Sequence, residues 1–234
     1  MALPKIDVPI YELTLPSNGE TLSYRPFLVK EEKILLMAVE GDDQKEMISA
    51  IKQIIRNCIL TEGIKPEKLP LYDVEFLLLN LRSRSMGDVI KTRYVHKKCK
   101  PVELEIDINE IEVVKDPEHT NKIELTDTVG LIMKYPDITM MNSMNDITGK
   151  KTEEVFDLIA RCVDQIYDEE KIYGKTDYTP KEVKEFILGL TQDQFKKLEV
   201  FFATLPKMQK KISFTCECGY TEKITLEGLS SFFG

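Results

Sequence analysis

Two short stretches place the tightest constraint on this chain: "HKKC", His96 to Cys99, and "CECG", Cys216 to Gly219. Each interrupts strand-forming residues, "IKTRYV" and "PVELEI" around the first, "KISFT" and "YTEKITL" around the second. Strand, ligand-bearing turn, strand is the plan of a metal knuckle. The two turns together offer three thiols and an imidazole, a donor set that tetrahedral Zn2+ favours in a closed structural site. Gly219 directly follows the last cysteine, where a positive φ is often needed. We therefore expect His96, Cys99, Cys216 and Cys218 to bind one structural Zn2+ in a zinc-ribbon-like pair of hairpins. Such a site would tie the centre of the chain to its C-terminal region and make everything between an insertion.

The usual ribbon knuckle is C-x-x-C, so H-x-x-C and C-x-C are less diagnostic, and two unconnected turns are the competing reading. Three thiolates around a divalent cation leave a net negative charge. Lys97, Lys98 and Lys100, with Lys210 and Lys211, would offset it and favour the thiolate forms. The second histidine, His119 in "KDPEHTNK", reads as a solvated loop residue and as an alternative to His96. Cys58 and Cys162 fall on apolar stripes of helical spacing and read as small buried hydrophobes. Five cysteines, an odd number, argue against a disulfide scaffold.

Local patterns give an α+β chain of helical blocks divided by β-hairpins. "IDVPIYELTL" and "ETLSYRPF" flank "PSNG", a hairpin signal. Helices follow over "LVKEEKILLMAVE", from Asp43 to about Leu60 (Met47, Ile51, Ile54, Ile55 and Cys58 on one face), and over "LYDVEFLLLNLRS". The period then switches: Val102, Leu104, Ile106 and Ile108 alternate with Glu103, Glu105 and Asp107, as in a half-buried strand. "TNKIELTDTVGLIMKYP" reads as a strand and a short helix, and the methionine-rich "DITMMNSMNDITGKK" as a loop. Three helices follow, the first carrying Val155, Ile159, Cys162, Val163 and Ile166. The other two open with the capping boxes "TPKE" and "TQDQ". We divide the chain into residues 1–88 (hairpin and three helices), 89–126 with 207–234 (ribbon-like β region and C-terminal helix), and 127–206 (inserted helical region).

Chemistry is hard to find. The sequence has no Gly-rich phosphate loop, no H-E-x-x-H and no G-x-S-x-G. The acidic runs "YDEEK" and "GDD" read as solvated helix ends, so no enzyme is expected. A net charge of −8 argues against a generic nucleic-acid coat. A local basic surface remains the rival: Lys91, Arg93, Lys97, Lys98, Lys100, Lys207, Lys210 and Lys211 beside Tyr94 and Phe214 would suit a zinc-ribbon nucleic-acid binder. The last segment, "LSSFFG", has two readings: Leu229, Phe232 and Phe233 pack onto the protein's own core, the commoner outcome, or, if exposed, they anchor a protein partner, with Lys97 and Lys98 as further contact residues. No stretch approaches the roughly 20 apolar residues of a membrane span. "MALPKIDVPIYEL" has no apolar signal region, so a cytosolic protein is expected.

"LPSNGETLSYRPFLVKEEKILLMAVE", "YDVEFLLLNLRSRSMGD", "FFATLPKM", "CECG" and the closing "GLSSFF" resemble, in order and over nearly the whole chain, the baseplate proteins of T4-like contractile-tailed phages. The resemblance implies a role in assembling the baseplate hub, through contacts with hub or tail proteins in the host cytoplasm or in the virion tail. It implies no catalytic residue.

Overall fold

The computed structural model describes residues 6–41, 43–96, 99–141 and 152–228. In chain order the strands are β1 (Tyr11–Thr14), β2 (Thr21–Tyr24), β3 (Val89–Tyr94), β4 (Val102–Asp107), β5 (Glu112–Val114), β6 (Lys122–Glu124), β7 (Gly130–Met133), β8 (Val163–Tyr167), β9 (Ile172–Tyr173), β10 (Lys207–Thr215) and β11 (Thr221–Glu227). The helices are α1 (Val29–Glu40), α2 (Gln44–Cys58), α3 (Leu71–Met86), α4 (Thr152–Cys162), α5 (Pro180–Leu188) and α6 (Gln192–Ala203). Mixed helices and small antiparallel sheets make this an α+β protein, as the patterns predict. The chain forms two compact units: Met1–Val114 with Lys207–Gly234, and Lys115–Pro206.

In the first unit, Asn18 and Gly19 turn β1 back onto β2. Gly19 has φ +74°, and the Asn18 side chain accepts the Glu20 N–H at 2.9 Å. Asp43 caps α2 by accepting the Lys45 N–H at 2.7 Å. The predicted stripe then buries Ile51, Ile54, Ile55 and Cys58, and α3 buries Val74, Leu77 and Leu81. A buried ion pair holds this block. Glu31 is fully enclosed, and its carboxylate accepts from the Arg25 guanidinium at 3.0 and 3.2 Å, the Leu28 N–H at 3.0 Å and the Asn57 amide at 3.2 Å.

The alternating segment after α3 forms the hairpin β3–β4, with Tyr94 opposite Val102 and Val89 opposite Asp107. It stops at Asp107, whose carboxylate accepts the Asn109 N–H at 2.8 Å and starts a single 3-10 turn, Ile108–Glu110. That turn redirects the chain, so β5 joins β10 and not β3. The sheet order is β11-β10-β5, with Lys207 opposite Val114. Ile90, Ile106, Ile108, Ile111, Met208 and Leu226 pack together beneath it, with Leu79 of α3.

The second unit corrects two readings. "GLIM" is not a helix but the strand β7, central in the sheet β6-β7-β8-β9. The helix at Thr152 does not carry Val163 and Ile166: it ends at Cys162, and those residues lie on β8. Both changes have one cause. The backbone of 163–167 finds partners on β7, with Leu131 opposite Ile166 and Gly130 opposite Tyr167, and the β-branched side chains fit that pleated, covered surface. Gly130 is required there, since a Cβ would lie 2.2 Å from the Tyr167 hydroxyl and 2.6 Å from the Ile123 carbonyl oxygen. The capping boxes Thr179–Glu182 and Thr191–Gln194 both form and start α5 and α6. Residues 142–151 of the methionine-rich stretch lie outside the described residues. Its described part has a 3-10 turn, Ile138–Met140, with Ile138 and Met140 buried.

Candidate metal centre

The β3–β4 loop and the β10–β11 turn each build half of one site. In the first, the backbone N–H of Cys99 donates to the carbonyl of His96 at 2.9 Å, which folds both side chains to one side of the loop. In the second, Cys216 N–H donates to the Tyr220 carbonyl and Gly219 N–H to the Cys216 carbonyl, both at 2.9 Å. Gly219 has φ +81°, the left-handed conformation its position suggests. This tight turn leaves Cys216 buried and Cys218 exposed.

The two halves meet. One ligand atom from each of His96, Cys99, Cys216 and Cys218 lies within 4.8 Å of the other three. His96 turns Nδ1 toward the sulfurs, at 3.4 Å from Cys216, 3.6 Å from Cys218 and 3.9 Å from Cys99. Bond lengths of about 2.3 Å to sulfur and about 2.0 Å to nitrogen put the sulfur and nitrogen corners of a tetrahedron about 3.5 Å apart. The three observed separations bracket that value. The Cys216 and Cys218 sulfurs are closer, at 2.8 Å, than the roughly 3.8 Å of two thiolates sharing such an ion. The donors therefore fit a tetrahedral cation after a small opening of one turn. Three sulfurs and an imidazole do not suit Mg2+ or Ca2+, which take oxygen ligands.

The thiols interact strongly. Hydrogen bonding to the Cys218 and Cys216 sulfurs, with some burial, pushes the Cys99 thiol up to about 11. Hydrogen bonds from Cys216 first, and then from the Tyr220 backbone, hold Cys218 below the ordinary thiol range.

Two contacts around the site were not read from the sequence. The Tyr220 ring stacks on His96 with centroids 4.0 Å apart and planes 11° apart. Lys100 on one turn pairs with Glu217 on the other at 3.5 Å. Tyr220 stands immediately after the glycine of its turn, but only the meeting of the hairpins shows which ring it covers. Behind them, Tyr94 and Phe214 bring their rings to 5.3 Å.

The other candidate residues separate from this centre. Lys97, Lys98, Leu229, Phe232 and Phe233 lie outside the described residues, as does the expected C-terminal helix. His119 is in the second unit and is not among the clustered residues, and it is not a solvated loop residue. Its Nδ1 lies 2.8 Å from the Thr204 hydroxyl, its ring packs against Tyr135 and Phe201 at 5.6 and 5.2 Å, and its Nε2 is buried without a hydrogen-bond partner. Cys58 and Cys162 are fully buried, and burial pushes their thiols up to about 11 and about 12. They behave as the small hydrophobes that their positions suggest.

The basic surface is largely matched by carboxylates. Lys91 pairs with Glu105 at 3.1 Å, Arg93 with Glu103 at 3.0 Å, Lys207 with Glu227 at 3.8 Å and Lys210 with Glu110 at 2.5 Å. Among the described residues, no helix is long and apolar enough to cross a membrane.

A family model described as "T4 bacteriophage base plate protein" matches residues 8–234. No curated protein and no solved structure matches the chain. The match runs through both units and through all four residues of the cluster. The chain belongs to the T4 bacteriophage base plate protein family.

Proposed function

We propose that this protein is a non-catalytic baseplate hub assembly protein, a chaperone or a structural hub component, that acts through contacts with other baseplate or tail proteins. Family membership places it with the phage baseplate; the hub role is our own reading. One observation carries it: four soft donors converge from two distant hairpins, which suits a structural ion rather than a reacting centre. We assign that ion as Zn2+, held by His96, Cys99, Cys216 and Cys218. Bound there, it would supply a rigid crosslink and no open coordination position for substrate.

The reading of no catalytic role is supported by how Asp168 of one acidic run is used. Asp168 of "YDEEK" accepts the N–H groups of Glu170 and Lys171 at 2.8 Å and the Tyr173 hydroxyl at 2.9 Å. These bonds, the backbone pair first, hold its carboxyl below the usual range, as befits a turn and not an acid catalyst. Protein contact is supported by α1, where Val29, Leu36, Met37 and Val39 are all more than half exposed. The working compartments we propose are the host cytoplasm during assembly and the tail baseplate.

The second reading, a zinc-ribbon nucleic-acid binder, needs an uncompensated basic face. Lys91, Arg93, Lys100, Lys207 and Lys210 each face a carboxylate at 4 Å or less, which works against it. Affinity capture from infected cells, with and without nuclease, separates the two. Tail proteins retained after nuclease support the assembly role. Loss of all partners with nuclease, together with salt-sensitive retention on single-stranded DNA, would replace it with the second reading.

A further inference from the structure

We propose that Cys216 and Cys218 form an oxidant-responsive pair, through which a peroxide opens the clamp between the two hairpins. The inference rests on the metal reading above. Of the thiols in the cluster, Cys218 is exposed, Cys99 half-buried and Cys216 buried, so an incoming oxidant reaches Cys218 first. The Cys216 sulfur already touches it at 2.8 Å, within the same turn. With an ion between them the two sulfurs would stand about 3.8 Å apart, so a movement of about 1.8 Å within that turn brings them to the roughly 2.05 Å of a disulfide. Cys99 sits on the other hairpin, with the His96 imidazole at 3.9 Å.

The chemistry balances with hydrogen peroxide as the oxidant. The Cys218 thiolate attacks one peroxide oxygen, the O–O bond breaks, and the departing hydroxide takes a proton to become water. The Cys216 thiolate then attacks the sulfenic sulfur; the S–S bond forms, the S–O bond breaks, and the departing hydroxide takes a proton from solvent to leave as a second water. The two sulfurs together lose two electrons to one peroxide. A disulfide sulfur is no longer a thiolate donor. The chain then offers only His96 and Cys99, too few for a closed tetrahedral site. Because the new bond lies inside one turn, it does not replace the link between the hairpins. The clamp therefore holds where thiols stay reduced and opens where they are oxidised.

The test uses the full chain, purified under reducing conditions and freed of reductant. Its zinc is measured by elemental analysis, and it is then titrated with hydrogen peroxide in the presence of a chromophoric chelator. The expected result is release of zinc at about one equivalent of peroxide. The peptide holding both Cys216 and Cys218 should lose two hydrogens, Cys99 should remain alkylatable, and reductant with added zinc should restore binding. Retention of zinc through several equivalents, or a disulfide that includes Cys99, would overturn the proposal. A chain without zinc before any peroxide is added overturns the metal reading instead. The same mapping still decides the pair: a Cys216–Cys218 link supports it, and two free thiols sink it.

Discussion

His96 presents its Nδ1 atom to the sulfur of Cys216 at 3.4 Å, although the two stand 120 positions apart in the chain. Bringing two such distant points together carries a loop-closure cost that direct contacts between short turns do little to offset. Around the pair, the Tyr94–Phe214 ring contact and the Lys100–Glu217 ion pair join the same two hairpins. A coordinated ion would supply far more than either contact. We expect freshly purified protein to hold about one zinc per chain, and His96→Ala or Cys99→Ser to lose it. Hydrogen exchange should then rise at the tips of β3–β4 and β10–β11, while α4 to α6 keep their protection. Full metal content in both variants would show that the cluster is not the site.

Tyr220 positions His96. Its ring lies nearly parallel to the imidazole at 4.0 Å, which limits how far that ligand can rotate. Tyr220→Ala should weaken zinc binding by about tenfold, the lower end of what outer contacts to metal ligands contribute. Tyr220→Phe keeps the stack and should bind as the parent does. Competition with a chelator of known affinity measures both.

Arg25 and Glu31 join the segment after β2 to the start of α1. Asn57 adds the end of α2 through its hydrogen bond to the same carboxylate. Burial pushes the Glu31 carboxyl up. The hydrogen bonds from Arg25 and Leu28, with the nearby positive charges, outweigh that and hold it below the usual carboxylate range. A lowered folded pKa means that this stability is present above the unfolded carboxylate pKa and is lost as the pH falls through the folded value. Arg25→Ala leaves the enclosed carboxylate with the more exposed Lys30, at 3.6 Å, as its nearby positive charge, and should cost about 3 kcal/mol in urea unfolding at neutral pH, the lower end for breaking a buried pair. A cost below about 1 kcal/mol, the range of exposed pairs, would show that water reaches the carboxylate.

Gly130→Ala tests the packing of β7 against β8. The added methyl would sit 2.2 Å from the Tyr167 hydroxyl and 2.6 Å from a backbone oxygen that cannot swing away. The expected loss is about 1–3 kcal/mol. Adding Tyr167→Phe should recover only part of it, because the backbone clash with Ile123 remains. Thermal melts of the three variants decide this.

His119 should make stability fall in mild acid. The Thr204 hydroxyl donates to the Val200 carbonyl at 2.8 Å, so it accepts the Nδ1–H of His119 and leaves Nε2 as a buried lone pair. Burial lowers the imidazole pKa, against a smaller upward pull from Asp116. The neutral ring is favoured in the folded state. Its contribution is therefore complete above the unfolded value of about 6.5 and declines as the pH falls through the folded pKa. His119→Phe keeps the stack on Tyr135 and Phe201 but cannot titrate. Its melting temperature should vary less between pH 7 and pH 5 than that of the parent, and an equal slope would remove His119 from the account.

Local chemistry alone determined a good part of this protein. Asn18-Gly19 marks a hairpin, Asp43 and the two capping boxes start helices, and the period of Ile51, Ile54, Ile55 and Cys58 marks a buried face. Each depends on residues within a few positions of one another, where backbone geometry allows few answers. The four candidate ligands were legible for the same reason: histidine and cysteine stand out in tight turns between strands. Other features waited for the tertiary structure. Val163 and Ile166 stand three apart, a helical spacing that would put them on opposite faces of a strand, and only β7 alongside makes them a strand. His119 looks solvated until Tyr135, Phe201 and Thr204 close over it. The lysines look like a basic face until carboxylates from neighbouring strands and turns stand opposite them. His96 and Cys216 become one site only when two hairpins meet. Contacts across long stretches of chain leave no period in the sequence, because their partners are chosen by which surfaces remain to be covered once the local elements have formed.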